Sequence, residues 1–568
     1  MRRWKAWLIF SFAMLVFGLV LLVPLYRVVR GGFFDGGGFT LVYLAGVFQN
    51  PIYAEGLWNS FMLALGTTAL TLLISLPLAW IGNRYDFPGK GLLSGLILVP
   101  MILPPFVGAI GFQQILGQYG ALNALFNLGP VDWLGRGRYF GVILLQALSL
   151  YPIMYLNVSA ALANIDHAME EAAENLGCSG FRKFRRITLP LIMPGLFAGG
   201  TIIFIWSFTE LGTPLIMNYT RCASVQVYDA LKEVGSNPFP FALVLVMLVA
   251  SVLLYSLTKL IFGRKAYAMQ GKAATTFTTR SVGGWRALPV VAPFLLVVCI
   301  ALLPHCGVIL TSFSEPGSWY RSVIPASFSS GNYVEALGHE MTVRSIRNSL
   351  LFASLAVAFN VTFGVAVAFV IVRSDIPCRG LLDALAMLPL AVPGLVMAFG
   401  YLSVSSTLSN MEWVKTSGFL SGLLDVRTNP TLFLVVAYAV RRLPYVVRSA
   451  VAGLQQTSVT LEEAAASLGS RPLTTVRRIT MPLITANLIA GALLAFSFSM
   501  LEVSDSLMLA QRQDYYPITK TIYELFQLIG TGKYVAAAMG VWAMAFLAVT
   551  IIGSSLILGR KMGALFRI

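Results

Sequence analysis

Charge is scarce in this chain of 568 residues: only 11% are Asp, Glu, Lys or Arg, against about a quarter in an ordinary soluble domain. So few ionised groups cannot cover a water-facing surface, which excludes a soluble globular protein. Histidine is scarcer still, and His167, His305 and His339 lie too far apart in sequence to outline a metal cluster. The five cysteines, Cys178, Cys222, Cys299, Cys306 and Cys378, form no CxxC pair, so neither a disulfide framework nor a zinc site is expected. No Ser/His/Asp constellation marks a membrane enzyme. A GxxxxGK[ST] phosphate loop is missing too, because Lys90 and Lys533 lack the upstream glycine and the following Ser or Thr. No covalent catalysis is expected of this chain, and no cofactor.

Apolar residues are what the chain has in excess, at 57%. Runs of about 20 of them recur, each able to cross a hydrocarbon core of about 30 Å. Candidate spans fall near 6–26, 57–82, 91–117, 139–162, 191–212, 240–262, 287–311, 347–372, 381–405, 431–452, 483–504 and 536–558. The first is too long for a signal-peptide core and has no clear cleavage site, so it reads as a membrane helix. The net charge of +16 reflects Lys and Arg gathered in alternate loops, with Arg560, Lys561 and Arg567 at the end of the chain. That pattern predicts both termini in the cytoplasm and gives no reason to invoke nucleic acid.

A polar, basic segment at 264–286 divides the chain nearly in half and reads as a cytoplasmic linker. The parts on either side, 1–263 and 287–568, repeat one another. Asn59-Ser60 matches Asn348-Ser349 at a displacement of 348 − 59 = 289, and Arg84, Pro88, Pro100, Pro104 and Gly111 match Arg373, Pro377, Pro389, Pro393 and Gly400 at the same displacement. Both copies run in the same membrane direction, which predicts a pseudo-twofold pair around a central path.

A second pattern recurs at a displacement of 462 − 170 = 292. Glu170-Glu171-Ala172-Ala173 leads to Gly177, Arg185-Arg186 and Pro190; Glu462-Glu463-Ala464-Ala465 leads to Gly469, Arg477-Arg478 and Pro482. Each stretch predicts a short amphipathic helix. Asp166 or Ser458 caps its start, the Glu pair sits in the first turns where the helix dipole favours negative charge, and glycine reverses the chain. A basic turn follows, and proline opens the next span. The alanines leave a smooth face on which a partner's groove can close.

These paired loops, at 166–190 and 458–482, resemble the EAA loop of the membrane component of binding-protein-dependent ABC importers. The resemblance covers almost the whole chain twice, and is strongest to fused two-unit permeases of the ferric-iron transport group, relatives of the thiamine, polyamine and phosphonate permeases. It implies an all-helical, polytopic inner-membrane protein with two type I importer units. It implies that the loops dock into clefts on two copies of an ATPase subunit, which bind the ATP and magnesium. A periplasmic binding protein would deliver the solute. A twelve-helix secondary transporter is the rival, and it leaves the doubled loops without a role.

Ionisable groups inside spans are costly and point to function. Arg441 and Arg442 lie midway along 431–452, where the first half has Ser149 and Leu150. They either mark the cytoplasmic end of a low-lying helix or face the central cavity. Glu210 and Glu502 match at 292, and Asp505 follows; they either line a cation route or are interfacial residues capped by loop donors.

Overall fold

A computed structural model describes residues 3–35, 38–233, 237–269 and 280–558. The first half comprises α1 (Arg3–Phe33), α2 (Pro51–Arg84), α3 (Lys90–Met101), α4 (Pro105–Leu116), α5 (Tyr139–Ala163), α6 (His167–Asn175), α7 (Gly180–Phe208), α8 (Gly212–Ile216), α9 (Ala223–Asp229) and α10 (Phe239–Met269). The second half repeats the order. Its elements are α11 (Leu288–Phe313), α12 (Glu340–Arg373), α13 (Arg379–Leu390), α14 (Gly394–Ser409), α15 (Thr431–Gln456), α16 (Val459–Ser467), α17 (Pro472–Met500), α18 (Ser504–Leu509), α19 (Ile518–Gln527) and α20 (Gly532–Leu558). Helix is the expected solution, because only internal hydrogen bonds can satisfy a backbone in lipid.

Among the described residues nine helices are long and apolar enough to span a bilayer, and two bent pairs bring the number to eleven. The twelfth predicted span, α15, falls outside that set because every 18-residue stretch of it contains Arg441, Arg442 and Arg448. Its counterpart α5 carries no charged residue and qualifies.

The predicted straight spans at 91–117 and 381–405 are each broken. α3 meets α4 at 99° and α13 meets α14 at 100°. Pro100, Pro104 and Pro105 break the first pair, and Pro389 and Pro393 the second, by removing donors and displacing the preceding turn. The near-identical angles show that the repeat is one of shape as well as sequence.

Packing crosses the division between the halves. α11, which opens the second half, lies on α4 of the first so closely that a Cβ on Gly111 would fall 2.2 Å from the backbone nitrogen of Val308. In return α1 lies on α14, where a Cβ on Gly400 would fall 2.9 Å from the Pro24 carbonyl oxygen and Tyr401 donates to the Val20 carbonyl at 2.7 Å. Glycine at both crossings lets the backbones meet, as small residues do in membrane helix pairs. The first helix of each half thus clasps the other half.

Part of the predicted linker, 270–279, lies outside the described residues, as do Arg560, Lys561 and Arg567. Beside it, Tyr85–Asp86 and Arg280–Ser281 pair as a short parallel bridge.

Candidate coupling loops and the cavity between the halves

The second loop begins with the cap that the sequence predicts. Ser458 caps α16 by accepting from the Thr460 amide at 3.3 Å. Gly177 and Gly469 take positive φ of 78° and 80°, and the next amide returns to the helix: Cys178 to the Ala173 carbonyl and Ser470 to that of Ala465. This is the Schellman closure that glycine permits. A Cβ at either glycine would meet nothing within 4 Å, so the dihedral angle alone demands glycine.

The two glutamates of each pair divide the work. Glu170 is buried and accepts from Arg84 Nη2 at 2.5 Å and Thr188 Oγ1 at 2.8 Å. Glu462 accepts from Arg373 Nε at 3.2 Å and Thr480 Oγ1 at 3.3 Å. Arg84 and Arg373 end α2 and α12, so each first glutamate ties its loop to two spans. Only Glu171 and Glu463 face solvent. The alanine face is half of what was expected, since Ala173 and Ala465 turn inward while Ala172 and Ala464 stay exposed. The matched threonines at 292 carried the signal for these inward ties.

Exposed instead are large apolar side chains that the sequence reading passed over. Leu176 and Leu468, matched at 292, are 87% and 88% exposed. Phe181 and Leu473, matched likewise, are 76% and 80% exposed. Arg185, Arg186, Arg477 and Arg478 stand beside them in solvent. Apolar groups held in water at equivalent positions of both loops describe a surface made to be covered. One tie belongs to the first loop alone. Lys183 donates to Glu174 at 2.5 Å and holds that carboxyl below the usual carboxylate range.

Pro190 and Pro482 do not start new helices. A wide turn at Phe184–Thr188 or Val476–Thr480 runs directly into the span, making α7 and α17 continuous. The widened turn relieves the clash a proline ring makes with the carbonyl four residues earlier. The loop's basic turn is therefore the end of a rigid rod. At 1.5 Å per residue the 29 residues of α7 reach about 43 Å, from the loop to Glu210 on the opposite side.

At that end a cavity of about 170 Å³, partly open to solvent, lies between the halves. Both helix breaks line it through Pro104 and Pro393, together with Gln146, Ser149, Trp206 and Glu210 from one half and Arg441, Arg442, Tyr445 and Glu502 from the other. The arginines face this cavity. Glu502, 3% exposed, is ion-paired with Arg441 Nη1 at 2.9 Å and accepts from Arg442 Nη2. Asp505, 1% exposed, lies 3.6 Å from Arg441. Arg442 further donates to the Phe498 carbonyl at 3.2 Å and lies over that ring. The guanidinium of Arg441 rests on Gly394, with Nη1 only 1.3 Å from where a Cβ would stand. The equivalent position in the first half is Pro105 (394 − 289).

The first half answers with a different wall. Glu210 accepts from the amide and the hydroxyl of Thr213 at 3.2 and 3.3 Å, capping α8. Gln146 Oε1 accepts from Thr67 and Ser207, and its amide nitrogen has no partner. Four of the five ionisable residues singled out in the sequence thus line one cavity, and Asp505 stands behind its wall, paired with Arg441.

The family model described as "binding-protein-dependent transport system inner membrane component" matches residues 71–267 and again 360–563, in each case after the clasping first helix. The chain is similar to the probable ABC transporter permease protein y4fN of Sinorhizobium fredii, at 26% identity over 86% of this chain and 85% of that protein. It is also similar to the ferric transport system permease protein FbpB of Actinobacillus pleuropneumoniae, at 25% identity over 81% of this chain and 64% of that one. The molybdenum transport system permease protein ModB of Escherichia coli is 31% identical over 32% of this chain and 82% of its own length. A solved bacterial ABC transporter involved in alginate import aligns at TM-score 0.37 and 16% identity, over 49% of this chain and 98% of that chain. With the family model matched twice, over more than two thirds of the chain, the chain belongs to the inner-membrane permeases of binding-protein-dependent ABC importers, with two units fused into one polypeptide.

Proposed function

We propose that this permease carries ferric iron, delivered by a periplasmic binding protein, through the cavity between its halves. One ATPase subunit docks on each loop, and both chain ends lie in the cytoplasm. The observation that carries the substrate is the charge of the cavity. Arg441 and Arg442 are already paired with Glu502, and Arg441 also with Asp505 behind the wall, so the two guanidinium groups that line the cavity beside Glu210 are neutralised. A wall whose guanidinium groups are already neutralised, with the Glu210 carboxyl beside them, favours a hard cation, for which oxygen ligands are suited. An oxyanion would need free arginines and would have to displace their present partners. The relatives point the same way. Those named for ferric transport match both halves, while those named for molybdenum transport match about one third of the chain.

The loops act as levers on this reading. Glu171, Ala172, Leu176 and their counterparts Glu463, Ala464 and Leu468 meet the ATPase. Glu170 and Glu462 pass its movement into α2, α7, α12 and α17. Hydrolysis of ATP, with its magnesium, belongs to the partner.

The test is uptake of radioactive iron and of radioactive molybdate by vesicles holding the permease, its co-eluting ATPase and its binding protein. ATP-dependent iron uptake at least tenfold above molybdate is expected. The reverse preference overturns the substrate, and uptake with no ATPase co-eluting overturns the importer assembly.

A further inference from the structure

Above the cavity, on the side away from the coupling loops, the two halves touch at equivalent residues. The same ties recur within each half: Ser60 and Ser349 accept from the amides of Ala223 and Ile518, and Ser224 and Thr519 donate to the carbonyls of Glu210 and Glu502. Both pairs set the local correspondence at 518 − 223 = 519 − 224 = 295. At that displacement Tyr228 on α9 corresponds to Tyr523 on α19. Their rings meet edge to face with centroids 6.2 Å apart. Two residues related by a twofold axis can touch only at the axis, so this contact stands where a path between the halves must run.

Lys520 locks it from one side. The side chain is 7% exposed, its Nζ lies 2.8 Å from Glu524 Oε1 and 3.3 Å from the Tyr228 hydroxyl, and it is within 6 Å of the rings of Tyr228, Tyr516 and Tyr523. A desolvated ammonium held by a carboxylate and ring faces is a strong local tie. Its counterpart in the first half is Val225 (520 − 295), so the lock is not doubled.

We propose that Tyr228 and Tyr523 form the outer gate of the path, closed in this conformation, and that Lys520 is its latch. The gate is geared to the cavity. Thr519 beside the latch donates at 2.6 Å to the carbonyl of Glu502, whose carboxylate holds both arginines. Opening α9 from α19 therefore pulls on the charged wall, and charge arriving at that wall loads the latch. The proposal rests on reading the interface between the halves as the route of the solute.

Cysteines placed at Tyr228 and Tyr523 in a background without the five native ones test it, in the reconstituted complex with its ATPase and binding protein. A short bis-methanethiosulfonate reagent, which forms a disulfide with each cysteine and releases methanesulfinate, should join them readily without nucleotide and at least fivefold less when vanadate traps the ATPase. The joined protein should lose nine-tenths of its uptake and regain it when the reagent's disulfide is reduced. Joining that is indifferent to nucleotide, or joined protein that transports normally, overturns the gate. Uptake by the unjoined protein reports separately on the permease itself, and the nucleotide effect on joining still decides the gate if that uptake is absent. Replacing Lys520 with Met should raise, several-fold, the labelling of a cysteine at Ser504 by a membrane-impermeant thiol reagent added outside, and Lys520→Arg should restore slow labelling. Equal labelling in all three removes the latch.

Discussion

Gly394→Ala is the smallest change that reaches the charged cluster, and it does so without altering a charge. The new methyl group would occupy the place of Arg441 Nη1, 1.3 Å away, and the guanidinium has to swing out. Arg441 then loses Glu502 at 2.9 Å and Asp505 at 3.6 Å. Glu502 keeps Arg442, but Asp505 keeps no other basic group within 4 Å among the described residues. Breaking a buried pair outright costs about 3–5 kcal/mol. Arg441 is 26% exposed and only one of two cations on Glu502 is lost, so the expected cost is lower, about 1–3 kcal/mol. A double-mutant cycle with Arg441→Ala, followed by denaturation of the purified protein in detergent, isolates that cost. If alanine acts by evicting Arg441, adding it to Arg441→Ala changes stability by only a few tenths of a kcal/mol, giving a coupling of about 1–3 kcal/mol. Full additivity would refute the seat that Gly394 provides.

Glu170→Ala or Glu462→Ala should leave ATPase binding nearly intact but lower solute transported per ATP, because it cuts the tie between loop and spans while sparing the exposed face; equal loss of binding would place these glutamates in the docking face instead. Gly177→Val and Gly469→Val should each weaken their loop by about 1–2 kcal/mol through the left-handed dihedral alone, whereas Asn should be tolerated, as read by uptake and by proteolysis of the loop. The Glu174–Lys183 tie predicts a pH dependence confined to the first loop. With the folded carboxyl depressed, its stabilisation is present above the unfolded value and is lost as pH falls through the folded one. Amide exchange in α6 relative to α16 should rise on acidification, and a parallel response of both loops would sink the assignment.

Turn and break residues made much of this architecture legible. Glycine at 177 and 469 and proline at 104 and 393 are demanded by backbone geometry, so they stand out in one sequence without any knowledge of contacts. The sharp bends were harder to read. Pro100 and Pro104 were visible as matched positions, yet proline in a membrane helix permits a kink or a full break, and only packing decides. Burial of Glu170 was hidden because its partners, Arg84 and Thr188, lie 86 and 18 residues away. The clash-free meeting of Gly111 with Gly307 left no trace either, since a glycine in a span has no preferred neighbour in the sequence. The cavity was half visible: Arg441, Arg442, Glu502 and Asp505 were conspicuous as charges in apolar runs, while their convergence on Gly394 was not.

The clasped first helices also impose an order on synthesis. α11 emerges when its seat beside Gly111 already lies in the bilayer, whereas Pro24 of α1 waits for Gly400, 400 − 24 = 376 residues later. At about 5–20 residues per second that interval is roughly 20–75 s. Throughout it the N-terminal helix is inserted but has lipid where its partner will be. The first half is therefore an unfinished product when its own last residue leaves the ribosome, and a chain that stalls at the linker should be a substrate for membrane proteases.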